Sequence, residues 1–265
     1  INQKKKLMPT IIQHIENNTC LIFLNRPEVF NSFNEKMAKK LQKILDICEK
    51  SIEIKSVIIT GNGKAFCAGQ DINEIIDSNA PNLNTIVTNH YNPIIYKIRN
   101  LKKPVICAVN GVAAGAGANI AISCDITISS NTAFFIQSFS KIGLIPDSGG
   151  TFFLPRLIGL QKSAALMFMG NKLSADNAEK LGLIYKTFKP EVLINEAKNI
   201  AQILNNLPNK SIELTKYALN KSFENNLSDQ LKLESQLQKY AADTEDFKEG
   251  INAFIEKRTP KFKSF

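Results

Sequence analysis

The most restrictive feature of this sequence is a change of hydrophobic period near Ser148. Before it, alternating or continuous apolar runs bounded by turn residues occur at 11–15, 20–24, 57–60, 104–109, 126–129 and 134–137, lengths that suit strands. Between them the period lengthens. In 34–48 the residues Met37, Leu41, Ile44, Leu45 and Cys48 recur at three- and four-residue spacing and share one helical face, and similar spacing returns at 86–98. After Ser148 the strand signal nearly vanishes, and 151–157, 163–169, 175–180, 192–207, 212–223 and 227–242 all predict helices. This order predicts an α/β half followed by a helical half. No linker rich in Gly, Ser or Pro and no visible repeat separates them, so the division, set at 1–200 and 201–265, is expected to be a packed one.

A chain of 265 residues with 44% hydrophobic and 22% charged residues can bury a full core, which excludes disorder as its main state. No apolar run reaches the roughly 18–20 residues that span a bilayer, and Lys4-Lys5-Lys6 is not followed by a signal-peptide core. The expectation is a cytoplasmic protein without a membrane partner. Residues 1–7 read as an arm with no assigned function. The five cysteines are odd in number and scattered without a C-x-x-C pair, so neither a disulfide framework nor a metal site is expected. A net charge of +9 favours a polyanion, but the lysines are spread along the chain rather than clustered with aromatics. No nucleic-acid module is legible, and no nucleic-acid partner is expected.

Three segments carry chemistry. The first is Gly61-Asn62-Gly63-Lys64-Ala65-Phe66-Cys67-Ala68-Gly69-Gln70-Asp71-Ile72, a small-residue loop after an apolar strand that lets a ligand approach the backbone. Spacing alone favours a strand-to-helix turn with Asp71 as the helix cap. The second is Asn110-Gly111-Val112-Ala113-Ala114-Gly115-Ala116-Gly117-Ala118-Asn119, which opens an apolar helix whose free N–H groups suit a phosphate or the oxyanion of a polarised thioester. Its glycines do not fall as G-x-G-x-x-G and no Gly-Lys-Ser/Thr closes it, so the dinucleotide and P-loop readings fit poorly. Close helix–strand packing accounts for the small residues equally. The third is Lys141-Ile142-Gly143-Leu144-Ile145-Pro146-Asp147-Ser148-Gly149-Gly150-Thr151. Asp-Ser-Gly-Gly also surrounds the nucleophile of trypsin-like proteases, but those are all-β, and here the two histidines, His14 and His90, sit in ordinary strand and helix patterns. Local reading favours Asp147 as a helix cap or turn former.

Taken together and in this order, the three segments resemble the enoyl-CoA hydratase/isomerase (crotonase) family. Leu24-Asn25-Arg26-Pro27 through Asn31, Cys124-Asp125, 173–182 and the tail Asp246-Phe247-Lys248-Glu249-Gly250 to Ala253-Phe254-Ile255-Glu256-Lys257-Arg258 extend the likeness over most of the chain. The resemblance implies a superhelix of strand–strand–helix units with a C-terminal helical trimerisation region, assembled as a homotrimer or a dimer of trimers. It implies an acyl-CoA thioester as substrate, no separate cofactor, and an oxyanion hole made by the backbone N–H groups of Gln70 and Ala116. Ala116 stands where the family usually has Gly, and only the amide is needed there. Ala65, Ala68, Asp71, Ile72, Gly115 and Asn119 would lie along the substrate and coenzyme A, and Phe254 and Lys257 would reach coenzyme A from the C-terminal helix.

The departure is at the carboxylates. Family hydratases use two glutamates to hold and activate water; this sequence has Asn119 and Phe139 there, and neither exchanges a proton at neutral pH. Asp147 remains, at a position where some family isomerases and a dehalogenase carry their acid. The resemblance is strongest to isomerases acting on enoyl- and epoxyphenylacetyl-CoA, through Ala113 to Asn119 and through Phe135 to Thr151. The expected activity is double-bond migration or epoxide opening with Asp147 as proton shuttle. Hydration of a 2-enoyl-CoA is the enzymatic alternative, followed by Asp147 as a nucleophile. A non-catalytic acyl-CoA scaffold and a basic RNA-binding protein have no motif in their favour.

Overall fold

In the computed structural model, residues 9–76 and 81–263 are described. Strands β1 (Ile11–Glu16) and β2 (Thr19–Leu24) form an antiparallel hairpin through Asn17 and Asn18, which both take positive φ. Helix α1 (Glu35–Lys50) follows, capped by the Asn34 side chain on the Met37 amide, and its Met37–Leu41–Ile44–Leu45–Cys48 face is buried as the period requires. Then come β3 (Ser56–Gly61), β4 (Ala65–Cys67), α2 (Ile72–Ile76), α3 (Leu83–Ile86), α4 (Asn92–Asn100), β5 (Val105–Val109), β6 (Val112–Ala114) and α5 (Ala116–Ser123). The third long-and-short strand pair, β7 (Ile126–Ser130) and β8 (Phe134–Ile136), leads into α6 (Gly150–Ile158) and α7 (Leu160–Met169). After β9 (Lys172–Ser174), α8 (Ala175–Lys180) and β10 (Lys186–Phe188), the chain finishes in α9 (Leu193–Asn205), α10 (Asn209–Lys221), α11 (Leu227–Ala242) and α12 (Glu245–Glu256).

The long strands and the three-residue β10 form one six-stranded sheet, in the order β1-β2-β3-β5-β7-β10, and the other short strands form a four-stranded sheet, β4-β6-β8-β9. The β2-β3-β5-β7-β10 neighbours are parallel. Strand–strand–helix units thus advance along two sheets at once, which is the superhelix expected from the sequence. Every residue of β3 and β5 is buried, the pattern of a parallel strand covered on both faces. Val57 and Ile59 face the main core with Val105 and Cys107, whereas Ile58 and Ile106 face Leu193, Ala197 and Ala201 of α9 on the other side.

Six predicted strands appear within a residue or two of their expected ends; β4, β6, β9 and β10, three residues each, were not expected because so short a run carries no alternation. The helix expected at 86–98 is interrupted: residues 87–91 form a π turn between α3 and α4. Pro93 explains it. Lacking an N–H, it cannot bond the Asn89 carbonyl, and the Asn92 amide reaches back to Val87 instead. Residue 200 falls inside α9, which lies on the large sheet. All five cysteines are buried free thiols. Among the described residues no helix is long and apolar enough to cross a membrane.

Candidate active site

Strands β4 and β6 run side by side and parallel, and the segments that follow them meet. After β6 the chain turns at Gly115, whose φ of 53° and ψ of −127° only glycine adopts readily. Helix α5 then starts at Ala116 with no side-chain cap, leaving its first amides free. Gly117 lets the helix sit directly on β4: a Cβ there would lie 2.5 Å from the Cys67 carbonyl oxygen. On the other loop, a Cβ built on Gly69, the residue before Gln70, would be 3.6 Å from the Ala116 nitrogen.

The orientation of Gln70 follows from its neighbour Phe33. The Phe33 amide donates to the Gly69 carbonyl (2.7 Å) and the Phe33 carbonyl accepts from Asp71 (2.8 Å), a parallel bridge along one edge of the segment. The Gln70 N–H is therefore turned to the opposite edge, the side on which β4 meets β6. Among the described residues neither the Gln70 nor the Ala116 amide has an acceptor. Two unpaired main-chain donors thus sit on two loops that approach each other at Gly69 and Ala116.

The surroundings of this pair are fixed by polar side chains. Fully buried Asn31 donates to the Asn62 carbonyl (2.9 Å) and the Ala65 carbonyl (2.8 Å), tying the early turn to the loop. Arg26 pairs with Asp71 at 2.7 Å, and the other Asp71 oxygen accepts from the Asn73 amide. Asp71 is thus the cap its spacing predicted. The Gln70 side chain accepts from the Tyr91 hydroxyl (2.7 Å) and donates to Glu74 (2.6 Å).

Asp147 does not cap. Helix α6 has Gly149 at its N-cap with no side-chain bond; the Asp147 main-chain carbonyl accepts from Gly150, while its carboxylate accepts from the Ser148 hydroxyl at 2.9 Å. Ser148 and Gly149 both take left-handed backbone, φ 51° and 75°, so the chain doubles back sharply after the acid. Burial holds the Asp147 carboxyl above the ordinary carboxylate range, against the opposing pull of the Ser148 hydrogen bond. Its charge also acts on buried Tyr91, whose phenol is raised chiefly by burial.

Asn119, fully buried, spends its amide on the protein: its oxygen accepts from Gln137 (2.7 Å) and its nitrogen donates to the Asp147 carbonyl (2.8 Å). It braces the segment that carries the acid. Phe139 is buried with its ring beside Gly115. Of the other sequence-predicted residues, Ala68 and Ile72 are accessible beside the amide pair, whereas Ala65 is buried, its carbonyl held by Asn31 and Asn110. Phe254 and Lys257 lie at the end of α12, which leans on α11 and the C-terminal Phe262; no hydrogen bond or ion pair among the described residues joins them to the 65–72 loop. Tyr91, Ser148 and Gln137 were not singled out from sequence. Ser148 adjoined a chosen acid, but Tyr91 and Gln137 carried no signal, because a π turn and a buried amide chain are set by tertiary contacts.

Beside Gly149 opens a cleft of about 430 Å³, walled by Ile95, Tyr96, Phe152, Phe153, Tyr217 and Phe223. Larger clefts lie away from the amide pair, one of about 580 Å³ along α10 and α11 and one of about 720 Å³ where the start of α12 meets the end of α1. The 430 Å³ cleft reaches the segment that carries the acid through Gly149, and Gln70, Ala116 and Asp147 are not among its lining residues.

Comparison with known proteins shows the family of the chain. The chain is 42% identical over 259 residues to the 1,2-epoxyphenylacetyl-CoA isomerase of Escherichia coli K12, covering 97% of this chain and 99% of that one. It is 36% identical to a probable enoyl-CoA hydratase of Rhodobacter capsulatus, covering 96% and 97%. The crystal structure of an enoyl-CoA hydratase from Bacillus anthracis superposes with a TM-score of 0.91 at 31% identity, covering 97% of this chain and all of that one. The profile of the Enoyl-CoA hydratase/isomerase family matches residues 14–264, and the chain is an enzyme that belongs to this family.

Proposed function

We propose that the protein is an acyl-CoA isomerase that moves a double bond, or opens a ring epoxide, in an enoyl- or epoxyphenylacetyl-CoA thioester. The amides of Gln70 and Ala116 form the oxyanion hole and Asp147 moves the proton. The thioester oxygen accepts from both amides, which draws charge out of the acyl chain. The Asp147 carboxylate removes a proton from the carbon next to the thioester, the resulting dienolate is held by the two N–H groups, and the same carboxyl returns the proton two carbons away. No water enters this cycle.

The observation that carries the reading is the pairing of one half-buried acid with the amide at position 119. Asn119 is committed to Gln137 and to the Asp147 carbonyl, so the place where a hydratase keeps a water-activating glutamate holds a structural brace. A raised carboxyl pKa at Asp147 suits an acid that must both take and return a proton. Hydration of 2-enoyl-CoA is the second reading, favoured by the hydratase names among the relatives.

Proton NMR with 3-enoyl-, 2-enoyl- and epoxyphenylacetyl-CoA reports double-bond movement and water addition together. The Asp147→Asn enzyme should fold, bind acyl-CoA and lose isomerisation by about 10²–10⁴-fold. Undiminished turnover would remove Asp147 from the mechanism, and rapid formation of a 3-hydroxyacyl product from crotonyl-CoA would favour the hydratase.

Phe254 and Lys257 belong to the coenzyme A site through a second copy of the chain, whose α12 covers the 65–72 loop; Asp71, Ala68, Ile72 and Gly115 complete the near side. Exposed Leu227, Leu231 and Tyr240 on α11, a helix with no buried residue in the single chain, support a homotrimer or a dimer of trimers.

A further inference from the structure

The Gln70 amide is only as useful as its direction is fixed, and the structure grips Gln70 from two sides. Its main chain is bridged by Phe33. Its side chain cannot flip: Glu74 accepts only, so Nε2 must face Glu74 (2.6 Å), which leaves Oε1 for the Tyr91 hydroxyl (2.7 Å). Tyr91 is 1% exposed, and its ring meets the Phe33 ring edge-on at 5.9 Å, so both grips close on each other. Burial keeps the phenol protonated and donating.

Tyr91 stands there because of the π turn. Residues 87–91 are wound one residue wide where Pro93 withholds its N–H. The Asn89 carbonyl, which Pro93 cannot reach, accepts from Gln42 Nε2 (2.8 Å) and Lys39 Nζ (3.5 Å) of α1, and Gln42 Nε2 also donates to the His90 carbonyl at 3.0 Å. A wound-out turn held by side chains of α1 brings one hydroxyl to the amide-bearing residue.

We propose that Tyr91 is a positioning residue of the oxyanion site, locking the Gln70 side chain so that the Gln70 N–H stays aimed at the thioester oxygen. The inference rests on the proposed role of the Gln70 amide. Its consequence is a loss of polarisation in the Tyr91→Phe enzyme, which keeps the ring and the core.

The test uses the full chain and [1-¹³C]butanoyl-CoA, a saturated thioester that cannot isomerise. Bound to the wild type, its carbonyl resonance should move downfield as the two amides polarise it. In Tyr91→Phe that displacement should fall by about half, with kcat on a 3-enoyl-CoA down ~10-fold and KM within ~2-fold. Gln70→Leu, which keeps the amide and removes the acceptor, should behave alike, and the double variant should lose no more than either, because both break one linkage. If Tyr91→Phe unfolds, Gln70→Leu carries the same reading. A ¹³C displacement and kcat equal to wild type in the folded variants would overturn the role of Tyr91 while leaving the amide pair intact. A wild type that shows no displacement would overturn the amide pair itself.

Discussion

A half-buried aspartate that serves as a base must be ionised when substrate arrives, and desolvation opposes that state. Asp147 has its carboxyl raised by desolvation, so kcat/KM should climb with pH through a single ionisation whose midpoint lies above the ordinary carboxylate value of about 3.9. The same shift has a sign in stability. Because the folded chain holds this proton more tightly than the unfolded one, the charged form is disfavoured by folding, and stability falls as pH rises from the unfolded toward the folded pKa. Asp147→Asn should therefore melt higher than wild type at pH 7 and show no such advantage near pH 3. Thermal melts at both values check it; an advantage of equal size at both would mean that the gain does not come from the charge. Asp147 itself could be picked from the sequence as the acid of a family motif. Its use could not, since a Pro-Asp-Ser-Gly-Gly run reads locally as a cap, and only the fold leaves the carboxylate to Ser148 and gives the cap position to Gly149.

At the scale of elements, the amide pair depends on how closely α5 sits on β4. Gly117→Ala places a Cβ 2.5 Å from the Cys67 carbonyl and 2.7 Å from its Sγ, and main chain cannot yield as a flexible side-chain end can. The variant should lose about 1–3 kcal/mol of stability by overpacking, read from denaturant melts, and should lose activity beyond that loss as the Ala116 amide is pushed from Gln70. The sequence displayed this run as small residues opening a helix. That the small residues serve an approach between a three-residue strand and an eight-residue helix needed the parallel pairing of β4 with β6. The π turn is a similar case: Pro93 lies inside the run whose spacing predicts one helix at 86–98, and only the structure shows the helix breaking into α3 and α4 around a turn that Gln42 and Lys39 hold from α1.

Across the whole molecule, a buried ionic knot helps hold the helical C-terminal region to the α/β core. Lys216 of α10 is 7% exposed and donates to the Ile98 and Lys103 carbonyls (2.8 and 3.1 Å) and to Asp125 (2.6 Å), which also pairs with Arg99 at 3.1 Å. Lys216→Met leaves two carbonyls without their donor and Asp125 with one cation fewer, and should cost about 3 kcal/mol in chemical denaturation. Beyond α10 the helices expose apolar surface that a lone copy does not cover. Sedimentation should show three or six times the 29.4 kDa chain mass, and a monomer at micromolar concentration would leave Phe254 and Lys257 without a route to coenzyme A.

Taken alone, the sequence determined the elements and the chemistry they offer. Periodicity gave the long strands and amphipathic helices, because burying one face imposes a repeat of two or of 3.6 residues that survives in any context. Ordered motifs gave the family, and through that resemblance the two amide positions and the single acid proposed for the site. What the tertiary structure decided were the relations that have no period. It decided which edge the Gln70 N–H faces, that Asn119 and Gln137 are spent on the segment carrying Asp147, and that Tyr91 reaches Gln70 across 21 residues of chain. These depend on hydrogen bonds between groups far apart in sequence, whose geometry exists only once the two sheets have stacked.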